Sequence, residues 1–190
     1  MAPRRTPGDS MTDAPAVPAY SITARTLHWI TAALVLFMLP LGFVIARDWG
    51  GPLQDQLYDL HRSLGALLIP IVLVRLVYRW SHPPAPLPDD IPALQRFAAE
   101  ATHWALYGLL ILQPFVGWIG TSAYRAPIIV FGLFELPPIW PEDRAFSDRV
   151  LFLHGLIGLT IAGLLAAHIG AALHHHFIRR DRILMRMITG

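Results

Sequence analysis

Four histidines, His28, His61, His154 and His168, fall inside long apolar stretches of this chain. An ionisable ring in hydrocarbon is costly and rare, which makes it a candidate functional residue. Imidazole nitrogen binds transition metals and haem iron. His154 and His168 are fourteen residues apart. On a helix that is two heptads, a rise of about 21 Å with a drift of only about 20° per heptad. The two rings therefore project from nearly one face at two levels. The natural partners are His61 for His154 and His28 for His168. Each pair could grip one iron porphyrin from both faces. Bis-imidazole iron has no open coordination position, so it passes electrons and does not activate oxygen at the metal. Zinc is the rival metal, but it prefers three or four ligands together, often with carboxylate or thiolate. A single helical histidine is more often a packed side chain than a ligand; four at two consistent levels make a sharper pattern.

The elements that must position these rings are membrane helices. The 190 residues are 54% hydrophobic and only 15% charged, with mean hydropathy +0.47. That balance belongs to a membrane bundle rather than a soluble domain. Four apolar spans are expected, over residues 26–46, 57–80, 97–122 and 149–178. Each has the roughly 20 residues that cross a bilayer. Helices satisfy their own backbone in lipid, and no alternating barrel pattern appears. The fold expected is all-α, an integral membrane four-helix bundle over residues 20–190. Residues 1–19, with four prolines, read as a disordered tail without the apolar core of a secretory signal. The longest connection, residues 123–148, reads as a short re-entrant or surface-lying segment.

All fifteen basic residues are arginine. Arg4, Arg5, Arg25, Arg75, Arg79, Arg96, Arg179, Arg180, Arg182 and Arg186 fall on one side of this topology. Arg47, Arg62, Arg125, Arg144 and Arg149 fall on the other. The excess places both termini in the cytoplasm. The outer segments then hold those five arginines against seven acids (Asp48, Asp55, Asp59, Glu135, Glu142, Asp143 and Asp148), a formal charge of −2. Their average field does not attract an anion. The absence of cysteine excludes disulfides, iron–sulfur clusters and covalently attached haem. The basic balance reports topology and is not a nucleic-acid signal.

Haem propionates need cationic or hydrogen-bonding partners. Arg25, Arg75 and Arg79 are the inner candidates. Arg62, Arg125 and Arg149, with Thr121, Ser122 and Tyr124, are the outer ones. Arg75 lies fourteen residues past His61 and so on the same helix face. A snorkelling arginine that only marks the interface is the alternative. His103 is read as a pocket-lining residue or a replacement for His28, and Met38 as core. His175, one heptad past His168, could hydrogen-bond a quinone carbonyl or move its proton. The alternative for His174, His175 and His176 is a polar helix end. Gly65, Gly117, Gly155, Gly158 and Gly163 suit close packing against helices or a flat macrocycle.

Several runs resemble the bacterial cytochrome b561 family. They are Tyr20-Ser-Ile-Thr-Ala-Arg-Thr-Leu-His28-Trp29, Leu60-His61-Arg62-Ser63-Leu64-Gly65, and Arg75-Leu76 with His82-Pro83-Pro84. Gly117-Trp118 through Phe131-Gly132-Leu133-Phe134-Glu135-Leu136-Pro137, and His168 through His175-His176-Phe177 to Arg182-Ile-Leu-Met-Arg-Met, complete the match. It covers residues 20–188. The resemblance implies a multi-pass bacterial inner-membrane protein with two b haems that exchanges electrons with the quinone pool. It puts the iron ligands at His28, His61, His154 and His168, and a ubiquinone contact at His175. Some members are similar to superoxide oxidases, which oxidise superoxide outside and reduce ubiquinone. Related cytochromes serve as membrane subunits of hydrogenases and other dehydrogenases, docked to a redox protein. A histidine-based metal or proton transporter is the reading from a different class.

Overall fold

Ser21 opens the first helix. Its hydroxyl accepts from the backbone N–H of Ala24 at 3.2 Å, satisfying a donor that the first turn leaves free. Helix α1 then runs Ile22–Ile45. A computed structural model describes residues 19–47, 49–86 and 91–189 of the chain. It contains three further long helices, α2 (Pro52–Ser81), α3 (Ala93–Tyr124) and α4 (Arg144–His174). A π-helical turn, His175–Arg179, extends α4, and a short α5 (Met185–Ile188) follows. The expected N-terminal tail lies outside the described residues apart from Ala19, as do Arg4, Arg5 and Asp48.

All four helices begin four or five residues before the expected apolar spans. Hydropathy sees the part in hydrocarbon, whereas caps set the true ends. Gly51, at φ 89°, turns the chain into Pro52, which suits a first helical position. Asp143 accepts from the Phe146 N–H at 2.9 Å and starts α4. Pro40, Pro70 and Pro114 sit inside α1, α2 and α3. Such prolines are tolerated in membrane helices, where neighbouring groups satisfy the freed carbonyls.

Only 17–33% of each helix's most apolar window is buried within the bundle. Side chains such as Phe37, Val77, Phe152 and Leu159 face outward. That is the surface of a helix solvated by lipid. The inside holds a compact layer of Val35, Leu68, Val72, Tyr107, Leu110, Val116, Ile157 and Ile161. Helices α3 and α4 approach closely at Gly120, where a β-carbon would meet Leu151 Cδ2 at 2.7 Å. Buried Ser147 donates to the Gly120 carbonyl at 2.8 Å and locks that crossing.

The connection after α3 forms a β-hairpin that hydropathy did not anticipate. Strands β1 (Ile128–Val130) and β2 (Phe134–Leu136) pair antiparallel, with Ile129 opposite Glu135. Phe131 (φ 48°) and Gly132 (φ 72°) both take positive φ in the three-residue loop 131–133, which the Leu133 N–H closes by donating to the Val130 carbonyl at 2.9 Å. Glycine does so freely; phenylalanine is strained there. Ser63 of α2 holds the strained residue. The Phe131 N–H donates to Ser63 Oγ at 3.0 Å, and the Ser63 hydroxyl donates to the Ile129 carbonyl at 3.2 Å. The hairpin thus lies against α2 two residues beyond His61.

Candidate functional site

Helix α4 presents two of its imidazoles, His154 and His168, at two levels. At the hairpin end, the His154 ring faces His61 of α2, with centroids 6.1 Å apart and planes at 79°. At the opposite end, His168 faces His28 of α1 at 6.3 Å and 61°. The structure therefore brings together both pairs expected from the sequence. Ile161, buried and seven residues from each α4 histidine, lies in the apolar layer between the levels. His103 of α3 stands at the second level too, 5.1 Å from His168.

The His61–His154 level opens into a cavity of about 760 Å³. It is lined by both rings and by Met38, Gly42, Gly65 and Gly155 among others. Met38, expected as core, thus borders this space. Two glycines give the imidazoles room. A β-carbon at Gly42 would lie 3.2 Å from His61 Cε1, and one at Gly117 would lie 3.0 Å from His154 Cε1. His154 Nδ1 donates to the Gln113 carbonyl at 3.1 Å, which leaves Nε2 with its lone pair. His61 Nδ1 is buried with no hydrogen-bond partner among the described residues. Two facing imidazoles, one with a free Nε2, and a roomy, mostly apolar cavity between small residues fit an iron porphyrin. His61 and His154 would hold the iron of such a group between them.

At the opposite level, the Arg75 guanidinium donates to His28 Nδ1 at 2.8 Å and lies 5.1 Å from the Tyr107 ring. Arg79 stacks on the same ring at 5.9 Å. Arg75 is thus on the face that the fourteen-residue spacing predicts, engaged with an imidazole. Arg25 donates to the Ile188 carbonyl at 3.3 Å, and Trp29, next to His28, donates to Met187 O at 3.0 Å. These contacts tie the start of α1 to the C-terminal segment.

The other expected propionate partners divide. Arg62, Thr121 and Tyr124 line the cavity. Arg62 also pairs with Asp59 at 3.3 Å. Ser122 is buried and accepts from the Ile139 N–H at 3.2 Å, so it holds the loop. Arg125 caps α3 in the left-handed conformation and faces Glu142 at 3.6 Å. Arg149 is exposed on α4 and does not line the cavity. His175 donates from Nδ1 to Asp181 Oδ2 at 2.5 Å, with Arg179 Nε 3.5 Å from the same oxygen.

Sequence reasoning missed Gln113, Gly42 and Asp181. Gln113 left a readable trace, as an amide inside an apolar span. Gly42 and Asp181 left none, since only the fold puts them against His61 and His175.

A model of the prokaryotic cytochrome b561 family matches residues 19–190. Cytochrome b561 homolog 2 of Escherichia coli (strain K12) is 34% identical over 89% of this chain and 90% of its own length. Cytochrome b561 homolog 1 of the same organism is 29% identical, covering 89% and 96%. "Probable superoxide oxidase CybB" of Yersinia pestis is 25% identical, covering 89% and 95%. With four apolar helices, paired imidazoles and this near-complete coverage, the chain belongs to the prokaryotic cytochrome b561 family, membrane electron-transfer proteins of b-type haem.

Proposed function

We propose that the protein holds two b haems and carries electrons across the bacterial inner membrane, to or from the quinone pool. The observation that supports this most directly is the two imidazole pairs that α4 makes with α2 and α1, at centroid separations of 6.1 and 6.3 Å. His61 and His154 are the ligands at the hairpin end, and His28 and His168 those at the other. The His28–His168 separation matches that of His61 and His154, 6.3 against 6.1 Å, whereas His103 stands 5.1 Å from His168, which favours His28 as the partner. A bis-imidazole haem supplies one-electron chemistry with no open coordination position. Arg62, Thr121 and Tyr124 would meet the propionates of the haem at the hairpin end, and Arg75, Arg79 and Arg25 those of the other. The apolar layer around Ile161 keeps water out between the two levels.

The arginine distribution supports an orientation with the hairpin end outside and the termini in the cytoplasm. His175, held by Asp181, then sits on the cytoplasmic side, where it would bind a ubiquinone oxygen and move a proton. The partner at the hairpin end is superoxide or a docked redox protein. The name of the Yersinia relative speaks for the first reading. The −2 charge of the outer segments speaks for the second. The residues permit either direction of flow.

The test is a spectrum and a haem count. The purified protein should show low-spin reduced b-haem bands and about two haems per chain by pyridine haemochrome. A colourless protein, made with ample porphyrin supply, would overturn the reading and favour a histidine-based transporter. Quinol formation on adding superoxide and ubiquinone separates an oxidase from a passive subunit of a larger complex.

A further inference from the structure

We propose that Gln113 is the positioning residue for His154 and, through it, for the haem at the hairpin end. Gln113 and His154 hold each other twice. The Gln113 side-chain Nε2 donates to the His154 backbone carbonyl at 2.9 Å. The His154 ring Nδ1 donates to the Gln113 backbone carbonyl at 3.1 Å. The two residues are 41 apart in sequence and sit on α3 and α4. One bond sets the rotation and tautomer of the imidazole. The other sets the height of α3 against α4, and so keeps the accepting carbonyl opposite the ring. Gly158, one turn beyond His154, leaves room for the amide, since a β-carbon there would stand 3.3 Å from Nε2.

Stability alone does not explain an amide here. Gln113 Oε1 is buried with no partner, a cost that an apolar residue of similar size would avoid. The facing imidazole lacks an equivalent support, because His61 Nδ1 is itself unpartnered. The orientation of the hairpin-end pair therefore rests on the Gln113–His154 couple. A partner that accepts from the distal ring nitrogen of a ligand histidine fixes its orientation and raises its basicity. Its loss typically costs about 10–100-fold in metal affinity.

The inference rests on the reading of His154 as an iron ligand, and the experiment separates the two. Haem transfer from the full-length, haem-loaded protein to excess apomyoglobin is followed for wild type, Gln113→Leu, Gln113→Met and His154→Ala. The low-spin electron paramagnetic resonance signals of both haems are recorded in parallel. Both Gln113 variants keep the backbone carbonyl and remove the amide donor, so either decides the matter if the other fails to assemble. The haem missing from His154→Ala identifies the hairpin-end site. In the Gln113 variants that haem should leave about 2–10-fold faster, the worth of one hydrogen bond, with a shifted signal, while the second haem keeps its wild-type rate and signal. Wild-type release of both haems overturns the role of Gln113, and so does an equal acceleration of both, which marks a purely structural helix contact. If His154→Ala retains both haems, the ligand reading fails and this inference fails with it.

Discussion

Gly117 of α3 and the imidazole of His154 on α4 are in such close contact that a β-carbon at position 117 would lie 3.0 Å from Cε1 and 3.2 Å from Nδ1. The ring cannot retreat without leaving the Gln113 carbonyl. Gly117→Ala should therefore turn the imidazole and weaken haem binding at the hairpin end. Gly108 lies on the same helix with nothing within 4 Å of its β-position. Gly108→Ala should be neutral. The haem-to-protein ratio after detergent purification checks the pair: below wild type for the first, equal to it for the second.

His61→Ala or His154→Ala should each lower the haem count from about two to about one. His28→Ala or His168→Ala should remove the other haem, because the two levels are separated by about 21 Å of α4. Redox titration reads which component disappears. Loss of the same component from His61→Ala and His28→Ala would show that the pairing is wrong.

Ser63 is buried and makes two hydrogen bonds to the hairpin. Ser63→Ala should destabilise the Phe131–Gly132 turn by about 1–3 kcal/mol, since it leaves a strained backbone without its donor and acceptor. Hydrogen exchange at the Phe131 amide should then speed up about tenfold or more. Phe131→Asn, a residue suited to positive φ, should keep the wild-type exchange pattern of the strands.

His175→Ala should slow haem reduction by a ubiquinol analogue by about 10²-fold or more, the usual share of a positioned proton-transfer group. The haem spectrum and count should stay at wild type, because His175 is seven residues beyond His168. Asp181→Asn should slow the same step less, as the amide oxygen still accepts from the ring. Stopped-flow absorbance at the haem band measures both. An unchanged rate in His175→Ala moves the quinone site elsewhere.

Ser147→Ala tests the crossing of α3 and α4. The hydroxyl is wholly buried and donates to the Gly120 carbonyl. Its removal should cost about 1 kcal/mol and lower the midpoint of thermal unfolding by a few degrees.

The spans, the four histidines and their pairing were legible in the chain because their signals are periodic. Hydrocarbon demands an unbroken apolar run, and a helix converts the fourteen residues between His154 and His168 into a shared face at two depths. The spacing of Arg75 from His61 was legible too, but its hydrogen bond to His28 was not. Helix ends were read late because caps such as Ser21, Gly51 and Asp143 act outside the apolar window.

What only the tertiary structure decided lies between helices. Gly42 against His61, Gly117 against His154, and Gln113 locked to His154 are contacts between residues distant in sequence. No period announces them, because side-chain contact across a helix interface depends on crossing angle and height. Ser122 and Arg125 looked equivalent to Thr121 and Tyr124 as neighbours in one run, yet only the latter two face the cavity. A helix turn of about 100° per residue sends adjacent side chains in different directions, and the approach of α4 decides which direction is inside.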